Sequence, residues 1–393
     1  MLRISLAAFF VYFLTLAGFS QSTGDSSAYR NRKLKLDEVN LVSSYYKQDG
    51  NNSAVTGGIG GEKITDFATN IDVQLSRYDG HKRKHIITAD VGIDIYTSAS
   101  SDKIDPSTIS SASASDKRIY PSITYAITNE AKGSTIFANG SISTEYDYFS
   151  KGLSLGWSKL SKDRNREFSA KGQVFLDTWS VILPIELRGS SDLEGNKPRN
   201  TYSAAFTLSQ VVTKRLQVLL LADIAYQEGE LATLYHRTYF TDGSHKVENL
   251  PNARMKIPIG LRLNYFMGDN FIVRTYYRYY TDDWDMTAHT LEIETPVKIT
   301  PFLSVSPFYR YHNQKGVKYF SPYGEHDMND EFYTSDYDLS TLSSYMTGLG
   351  LRYAPPGGVF NIPRFNAMEL RYGHYKRSTG LTSDIITLFV KFK

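Results

Sequence analysis

Hydrophobic and polar residues alternate one by one along most of this chain, from about residue 63 to its last residue. In residues 87–95 every odd position is apolar and every even position is polar or glycine. In residues 216–224 every even position is apolar. A period of two indicates β-strands with one apolar face. The runs are about 9–13 residues long, near the length that a tilted strand needs to cross a bilayer, whereas strands of soluble proteins are mostly about 5–6 residues long.

The alternation predicts about sixteen strands, in a range of about 14–18, and an even number is typical of a membrane barrel. The predicted spans are 63–78, 85–97, 117–129, 134–149, 151–160, 167–178, 181–189, 201–212, 214–227, 256–267, 270–281, 286–299, 301–313, 343–353, 366–376 and 383–392. No convincing helical period follows the first twenty residues. We therefore predict an all-β fold, a transmembrane antiparallel up-and-down β-barrel at 63–393; a secreted soluble β-rich protein is the alternative.

The lengths of the connections support a barrel when sides are assigned from the C-terminus, which is expected in the periplasm. Short connections then fall in the periplasm, at 267–270, 300, 212–214, 179–180 and 150, and long ones outside, at 189–200, 228–255 and 314–342. Segments 21–62 and 98–115 depart from this rule, because they are long and fall on the periplasmic side. Residues 57–61 of the first, Gly-Gly-Ile-Gly-Gly, require unusual backbone angles or close packing. We expect these segments to be a periplasmic feature, a plug in the lumen or flexible loops.

Both ends of the chain carry signals of export and assembly. Residues 1–20 have a basic start at Arg3, then an uncharged, mostly apolar stretch that ends near Ser20. That is the pattern of a cleaved secretory signal peptide. The last apolar alternation reaches Phe392, followed by Lys393. This ending resembles the terminal strand read by the barrel-assembly machinery, although many such strands end at the aromatic residue itself. We predict a location in the outer membrane of a Gram-negative bacterium.

The composition excludes several classes of protein. The chain carries 44 Lys and Arg against 41 Asp and Glu, a balance that argues against a nucleic-acid binder. It has no Cys, so no disulfide supports the fold. The 29 Tyr suit strands and membrane interfaces. The mean hydropathy of −0.35 does not suit a helical membrane protein.

Several stretches resemble one bacterial family. They are LVSSYY at 41–46, QDGNNSAVTGG at 48–58, DIYTSASSDKIDP at 94–106, STEYDY at 143–148 and YTSD at 333–336. Together they resemble the uncharacterised family catalogued as domain of unknown function 3570, over nearly all of the chain after the signal peptide. The resemblance implies an outer-membrane barrel of unknown substrate, and it supplies no catalytic residues.

The polar face of the predicted strands would line the lumen. By alternation its charged members include Asp72, Asp90, Asp94, Asp177, Asp223, Arg262, Arg274, Arg278, Arg310, Arg352 and Arg371. The acids precede the arginines in the chain, so the two sets would face each other across a closed barrel, and charged rings select among ions. We predict a channel or transport component for small polar or charged solutes. Glu292, Glu294 and Glu369 among the arginines favour the alternative, a plugged-lumen interaction or assembly protein filled by salt bridges.

An enzymatic function has one weak signal. Asp282, Asp283 and Asp285 lie in a predicted external turn near His289, and acid–histidine groups can activate water. This leaves an outer-membrane hydrolase as a less favoured alternative. Aspartates in a turn are more often turn formers, so we predict no enzyme and no catalytic residues.

Metal and lipid binding are also weakly signalled. Asp49, Asn51 and Glu62 lack the spacing of an EF-hand loop, and the eight histidines show no zinc pattern. We therefore predict no cofactor and no metal. The basic tip at 81–84 is predicted outside, as a solvated hairpin or a contact for lipopolysaccharide. The expected partners are outer-membrane lipids and, during biogenesis, the assembly machinery.

Overall fold

Antiparallel strands account for most of the protein. The computed structural model describes residues 33–97, 115–184 and 193–393, and the predicted signal peptide lies outside the described residues. Among these residues no helix is long and apolar enough to cross a membrane. The three short 3-10 helices span Ala54–Thr56, Tyr337–Leu339 and Val359–Asn361.

The described residues form nineteen strands. They are β1 (Lys35–Asp49), β2 (Ile64–Tyr78), β3 (Arg83–Thr97), β4 (Ser115–Asn129), β5 (Ser134–Thr144), β6 (Tyr148–Leu160), β7 (Arg166–Val181), β8 (Gly195–Thr213), β9 (Leu216–Gly229), β10 (Arg237–Tyr239), β11 (His245–Val247), β12 (Ala253–Met267), β13 (Phe271–Asp282), β14 (Thr287–Glu294), β15 (Val297–Lys298), β16 (Leu303–Lys315), β17 (Leu342–Tyr353), β18 (Phe365–Arg377) and β19 (Thr382–Phe392).

One sheet closes on itself. With β14 and β15 taken as one strand, each of its strands pairs antiparallel with the next strand of the sheet, and β1 pairs with β2 on one side and with β19 on the other. Strands β14 and β15 both lie between β13 and β16, so they are two parts of one strand, interrupted next to Pro296, which has no backbone N–H to donate. The barrel therefore has sixteen strands, and β10 and β11 form a separate hairpin. The prediction of a closed up-and-down barrel is confirmed.

The predicted count of sixteen is right although individual strands are wrong. Strand β1 was assigned to the segment 21–62 outside the barrel, which therefore begins by residue 35 rather than 63. Its apolar residues do not alternate regularly, since Leu36 lies beside a bulge and Val42 is on the face opposite Leu41. No strand separates β7 from β8, contrary to the predicted strand 181–189, because these two pair directly up to Val181 and Gly195; residues 185–192 lie outside the described residues. The predicted turn at 150 lies inside β6.

These errors reverse the sides of the connections before residue 181. The C-terminal end of the barrel, where β19 finishes, also holds the starts of β1 and β3. The opposite end, here the loop end, holds the connections 50–63, 230–252 and 316–341, as well as the end of β3, the start of β4, the end of β7 and the start of β8. Residues 98–114 and 185–192 lie outside the described residues. Segment 50–62 thus lies at the loop end, and β3 and β4 have their facing ends there, contrary to the prediction; the basic tip at 81–84 lies at the C-terminal end. Apart from 354–364, the C-terminal end has turns of at most five residues.

The two faces of the sheet differ in chemistry. Large apolar side chains such as Ile123, Ile136 and Leu153 are 60–63% exposed on the outer face. The buried apolar cluster lies instead at the loop end, around Trp179 and Trp284. A barrel of this kind keeps its apolar surface on the outside, so the compact core of the molecule is in its loops.

Candidate functional site

The eleven residues predicted to line the lumen share the inner face of the barrel. Arg310, for example, alternates with Tyr309 and Tyr311, which are 45% and 42% exposed on the outer face. Arg371 on β18 lies 3.0 Å from Glu294 on β14, although two strands separate them. Side chains that far apart in a curved sheet meet only on its concave side. The register of the paired strands places the other predicted residues on this same inner face.

Most of the predicted arginines belong to a ladder of ion pairs. Arg310 lies 2.7 Å from Glu292, and Arg274 lies 3.5 Å from Glu294. Arg371 bridges Glu294 and Glu369 at 3.0 Å each. Arg352 is 3.9 Å from Glu369. Arg262 and Arg278 instead lie over the rings of Tyr276 and Tyr280, at 5.2 Å and 5.8 Å. The local salt bridges expected from Glu292, Glu294 and Glu369 are therefore present.

Four of the five predicted aspartates have neutral partners instead. Asp72 accepts a hydrogen bond from Asn40 at 3.0 Å, and Asp90 accepts one from Asn70 at 3.1 Å. Asp94 and Asp177 accept from the hydroxyls of Tyr120 and Tyr148, at 2.9 Å and 2.7 Å. These donors orient the carboxylates without cancelling their charge.

The acidic and the basic residues occupy opposite halves of the ring. The predicted aspartates are on β2, β3, β7 and β9, and the predicted arginines are on strands β12 to β18. The closed strand order places these two sets on facing walls. Some opposite charges reduce the contrast, for example Arg118, which pairs with Glu145 at 3.4 Å in the acidic half. A transverse difference in charge nevertheless follows from the order of the strands.

The predicted acid–histidine group is not assembled. Asp282 is on the inner face, where it pairs with Arg254, and it also accepts hydrogen bonds from the backbone of the turn at Trp284 and Met286. His289 bonds to the hydroxyl of Tyr277, which is on the outer face. Their side chains therefore lie on different sides of the wall. The other two turn aspartates also have partners: Asp283 accepts from the Met255 N–H at 3.1 Å, and Asp285 lies 4.0 Å from Lys318. The structure therefore does not bring Asp282 and His289 together.

Three connections at the loop end fold together into a unit that we call the loop cap, formed by 50–63, 230–252 and 316–341. The first leaves the ring between β1 and β2, and the second leaves it diametrically opposite, between β9 and β12. Arg237 of the second donates to the carbonyl of Val55 in the first at 3.0 Å. The backbones of Asn249 and Tyr333 join the second to the third by two hydrogen bonds, of 3.2 Å and 2.7 Å. Contact between opposite sides requires the cap to cross the opening of the barrel.

A buried apolar cluster fixes the loop cap to the rim. It comprises Trp179, Leu183, Ala232, Leu234, Leu250, Trp284, Met286 and Val317. Trp284 is 3% exposed, donates its indole N–H to the carbonyl of Ala253 at 3.0 Å, and lies under the guanidinium of Arg254 at 4.3 Å. Strand ends and cap loops thus share one core.

The glycine-rich residues 57–61 are explained by close packing in the cap. Gly57 and Gly58 have φ angles of +81° and +87°, which side chains rarely adopt. A Cβ at Gly57 would lie 2.5 Å from the ring of Tyr239, and one at Gly58 would lie 2.7 Å from the carbonyl of Ser335. The predicted requirement for unusual angles or close packing is confirmed, in a cap at the loop end.

The buried guanidinium of Arg377 joins the first and third loops to the wall. Arg377 at the end of β18 pairs with Asp338 and lies 3.9 Å from Glu62. Burial raises the pKa of the Glu62 carboxyl above its usual value, against the opposing effect of Arg377. The amide of Gln314 bonds to the carbonyls of Asp338 and Ser340 at 2.9 Å and 2.8 Å.

The cap also contains a cluster that sequence reasoning missed. Potential ligand atoms of His236, Glu248 and Asp336 lie within 4.8 Å of one another. Burial raises the pKa of Asp336 to about 6. Asp336 is 88 residues beyond Glu248 in the chain, so no local spacing signals the cluster. A second group, Asp116, Glu145 and Asp147, contains carboxylates alone and has Arg118 beside it.

Comparison with known proteins places the chain in a family. The model of the family described as a protein of unknown function, DUF3570, matches residues 105–359, well over half of the chain. The chain belongs to this family. The resemblance inferred from the sequence is confirmed. No curated protein matches the chain.

The solved structures similar to this family member include an outer-membrane protein and a porin. The outer-membrane protein OpdK of Pseudomonas aeruginosa is 9% identical, with 92% of this chain and 98% of that chain covered and a TM-score of 0.44. A BenF-like porin of Pseudomonas fluorescens Pf-5 is 9% identical, with 91% and 98% covered and a TM-score of 0.43. OccD3 (OpdP) of Pseudomonas aeruginosa is 10% identical, with 91% of both chains covered and a TM-score of 0.44. The closed barrel itself follows from the strand pairing described above.

Proposed function

We propose that this protein is an outer-membrane channel or transport component for small polar or charged solutes, with its C-terminal end in the periplasm and its loop cap outside. The observation that carries the proposal is a closed sheet with an exposed apolar outer face and a charged inner face. A barrel of about sixteen strands can enclose an aqueous path.

Aromatic residues on the outer face support a membrane location. Near the loop end, paired strands bring Tyr311 beside Tyr345 and Tyr202 beside Tyr226. Near the C-terminal end, Tyr353 is 37% and Tyr265 is 42% exposed. Girdles of aromatic side chains at both interfaces are typical of membrane barrels, because the ring stays in apolar surroundings while the hydroxyl reaches water. The lipids of the outer membrane are the partners that this surface fits.

The two charged halves of the lumen support selection by charge. Facing walls of aspartates and arginines produce a transverse field, which orients polar solutes and discriminates among ions. The ion-pair ladder reduces the net charge of the basic wall but leaves Arg262 and Arg278 without a carboxylate partner among the described residues.

The plugged-lumen alternative draws support from the loop cap. The cap crosses the opening and shares a buried core with the rim of the barrel, so it is built as an ordered structure. In the channel hypothesis it is a filter or a gate. In the alternative it closes the barrel, and its outer surface binds another protein.

Single-channel conductance in planar bilayers tests the proposal. We expect discrete conducting steps from the purified protein, and a shift of ion selectivity toward cations in the double variant Arg262→Gln, Arg278→Gln. Lys159→Gln on the outer face is the control and should leave the reversal potential unchanged. Absence of conducting steps, both in the natural protein and in a variant with a loosened cap, would reject the channel and favour the plugged alternative.

A further inference from the structure

The cluster of His236, Glu248 and Asp336 is built from two separate loops of the cap. His236 and Glu248 flank the hairpin of β10 and β11, and the Glu248 N–H donates to the carbonyl of His236 at 3.0 Å. This pairing holds the two side chains at the base of the hairpin. Asp336 comes from the third loop, where it caps the 3-10 helix Tyr337–Leu339 by accepting from the Asp338 N–H. The three groups thus meet at the junction between the second and third loops.

The spacing of the donor atoms suits a bound ion better than direct hydrogen bonds. His236 Nδ1 lies 3.7 Å from Glu248 Oε1, which is beyond hydrogen-bond distance. All three ligand atoms lie within 4.8 Å of one another. Ligands that are each about 2.0–2.2 Å from a common metal ion are separated by about 3–4 Å, so small side-chain adjustments would complete such a site.

A buried atom without a hydrogen-bond partner also supports a bound ion. The side chain of His236 is 20% exposed, but its Nδ1 is buried and has no hydrogen-bond partner. A buried polar atom without a protein partner is costly, and a bound ion is one of the ways in which proteins satisfy such an atom. Glu248 is 3% exposed and sits beside this nitrogen. Two carboxylates in a buried place also require a positive charge to offset their repulsion.

Surrounding hydrogen bonds hold the ligands in position. Glu248 accepts from the Thr233 N–H at 2.6 Å and from the hydroxyl of Thr334, which is fully buried. The same Thr334 hydroxyl accepts from the N–H of Asp336 at 3.0 Å. Metal ligands are usually oriented by an outer layer of hydrogen bonds of this kind.

We propose that His236, Glu248 and Asp336 bind a divalent first-row transition metal ion, of which Zn²⁺ is the representative, and that the ion clips two loops of the cap together. One imidazole with two carboxylates suits Zn²⁺ and its neighbours, whereas Ca²⁺ and Mg²⁺ prefer oxygen ligands alone. Three protein ligands leave a coordination position for water. The site is independent of whether the barrel conducts.

The test is zinc binding by the full barrel in detergent. Protein treated with a chelator is titrated with Zn²⁺, and bound metal is measured by calorimetry and by elemental analysis. We expect one Zn²⁺ per chain, with affinity lowered by more than about 100-fold in His236→Gln and in Asp336→Asn, beyond the about 10–100-fold effect of outer-layer changes. Asp330→Asn is the matched control, because Asp330 pairs with His326 at 3.6 Å in the same cap and outside the cluster.

Two results overturn the assignment: the natural protein fails to bind Zn²⁺, or binding survives both substitutions. Heat-dependent gel mobility shows whether the variants remain folded. If they do not fold, X-ray absorption of Zn²⁺ bound to the natural protein decides the question. One imidazole among oxygen ligands supports the site, and a coordination shell without imidazole, or with several, contradicts it.

Discussion

Replacing Trp284 by alanine should loosen the loop cap while the barrel stays closed. The indole is 3% exposed in the cluster that joins the cap to the rim. It contacts the cap edge-on through Tyr319, with ring centroids 5.8 Å apart, and it donates to the carbonyl of Ala253. None of these contacts belongs to the strand pairing that closes the barrel, so we expect the sheet to stay closed when the indole is removed.

The magnitude follows from the size of the side chain removed. Truncation of a buried Trp to Ala costs about 3–5 kcal/mol, because apolar contacts are lost and a cavity remains. At about 1.4 kcal/mol for each factor of ten, this raises the open population of the cap about 140- to 4,000-fold. Loss of the stacking partner of Arg254, at 4.3 Å, adds to the effect.

Limited proteolysis measures this population, since cleavage follows the open fraction when opening and closing are fast. We expect much faster cleavage within 230–252 and 316–341 in Trp284→Ala, with unchanged heat-dependent gel mobility of the barrel. Trp157→Ala is the control, because Trp157 is 41% exposed on the outer face. Equal cleavage rates for the natural protein and Trp284→Ala would refute the view that this core holds the cap.

Three further predictions concern the cap and the lumen. Gly57→Ala should destabilise the cap by about 1–3 kcal/mol, because the φ of Gly57 is +81°. Limited proteolysis should detect this as faster cleavage of the cap. Gly140→Ala is the control, because Gly140 has open space around it. Arg371→Gln removes the cation that bridges Glu294 and Glu369, so the reversal potential in a salt gradient should shift toward cation selectivity; an unchanged potential would show that the ladder does not face the conducting path. Burial raises the pKa of Glu62, so the contribution of this carboxyl to cap stability is complete below the usual pKa of Glu and declines as the pH rises through the raised pKa. Proteolytic cleavage of the cap should therefore become faster with rising pH in the natural protein, and less so in Glu62→Gln. Cleavage that slows with rising pH would contradict the assigned direction of the shift.

The sequence was sufficient to assign residues to the inner or the outer face of the barrel, because alternation is a local property. Asp90 and Arg310 could be assigned to the lumen from their neighbours along the chain alone, and the register of the paired strands agrees. The side of each connection was much harder to predict, since it depends on every strand between it and the C-terminus. The strand wrongly predicted between β7 and β8 therefore reversed the predicted side of every connection that precedes it in the chain.

The chain by itself determined a period-two pattern long enough for about sixteen strands, and hence a closed antiparallel sheet with a charged interior. Only the tertiary structure decided that β1 completes the ring, because its irregular alternation becomes a strand through pairing with β2 and β19. The loop cap was likewise decided by tertiary contacts. His236, Glu248 and Asp336 lie in two loops, and their proximity arises from packing between those loops, which no short-range spacing encodes.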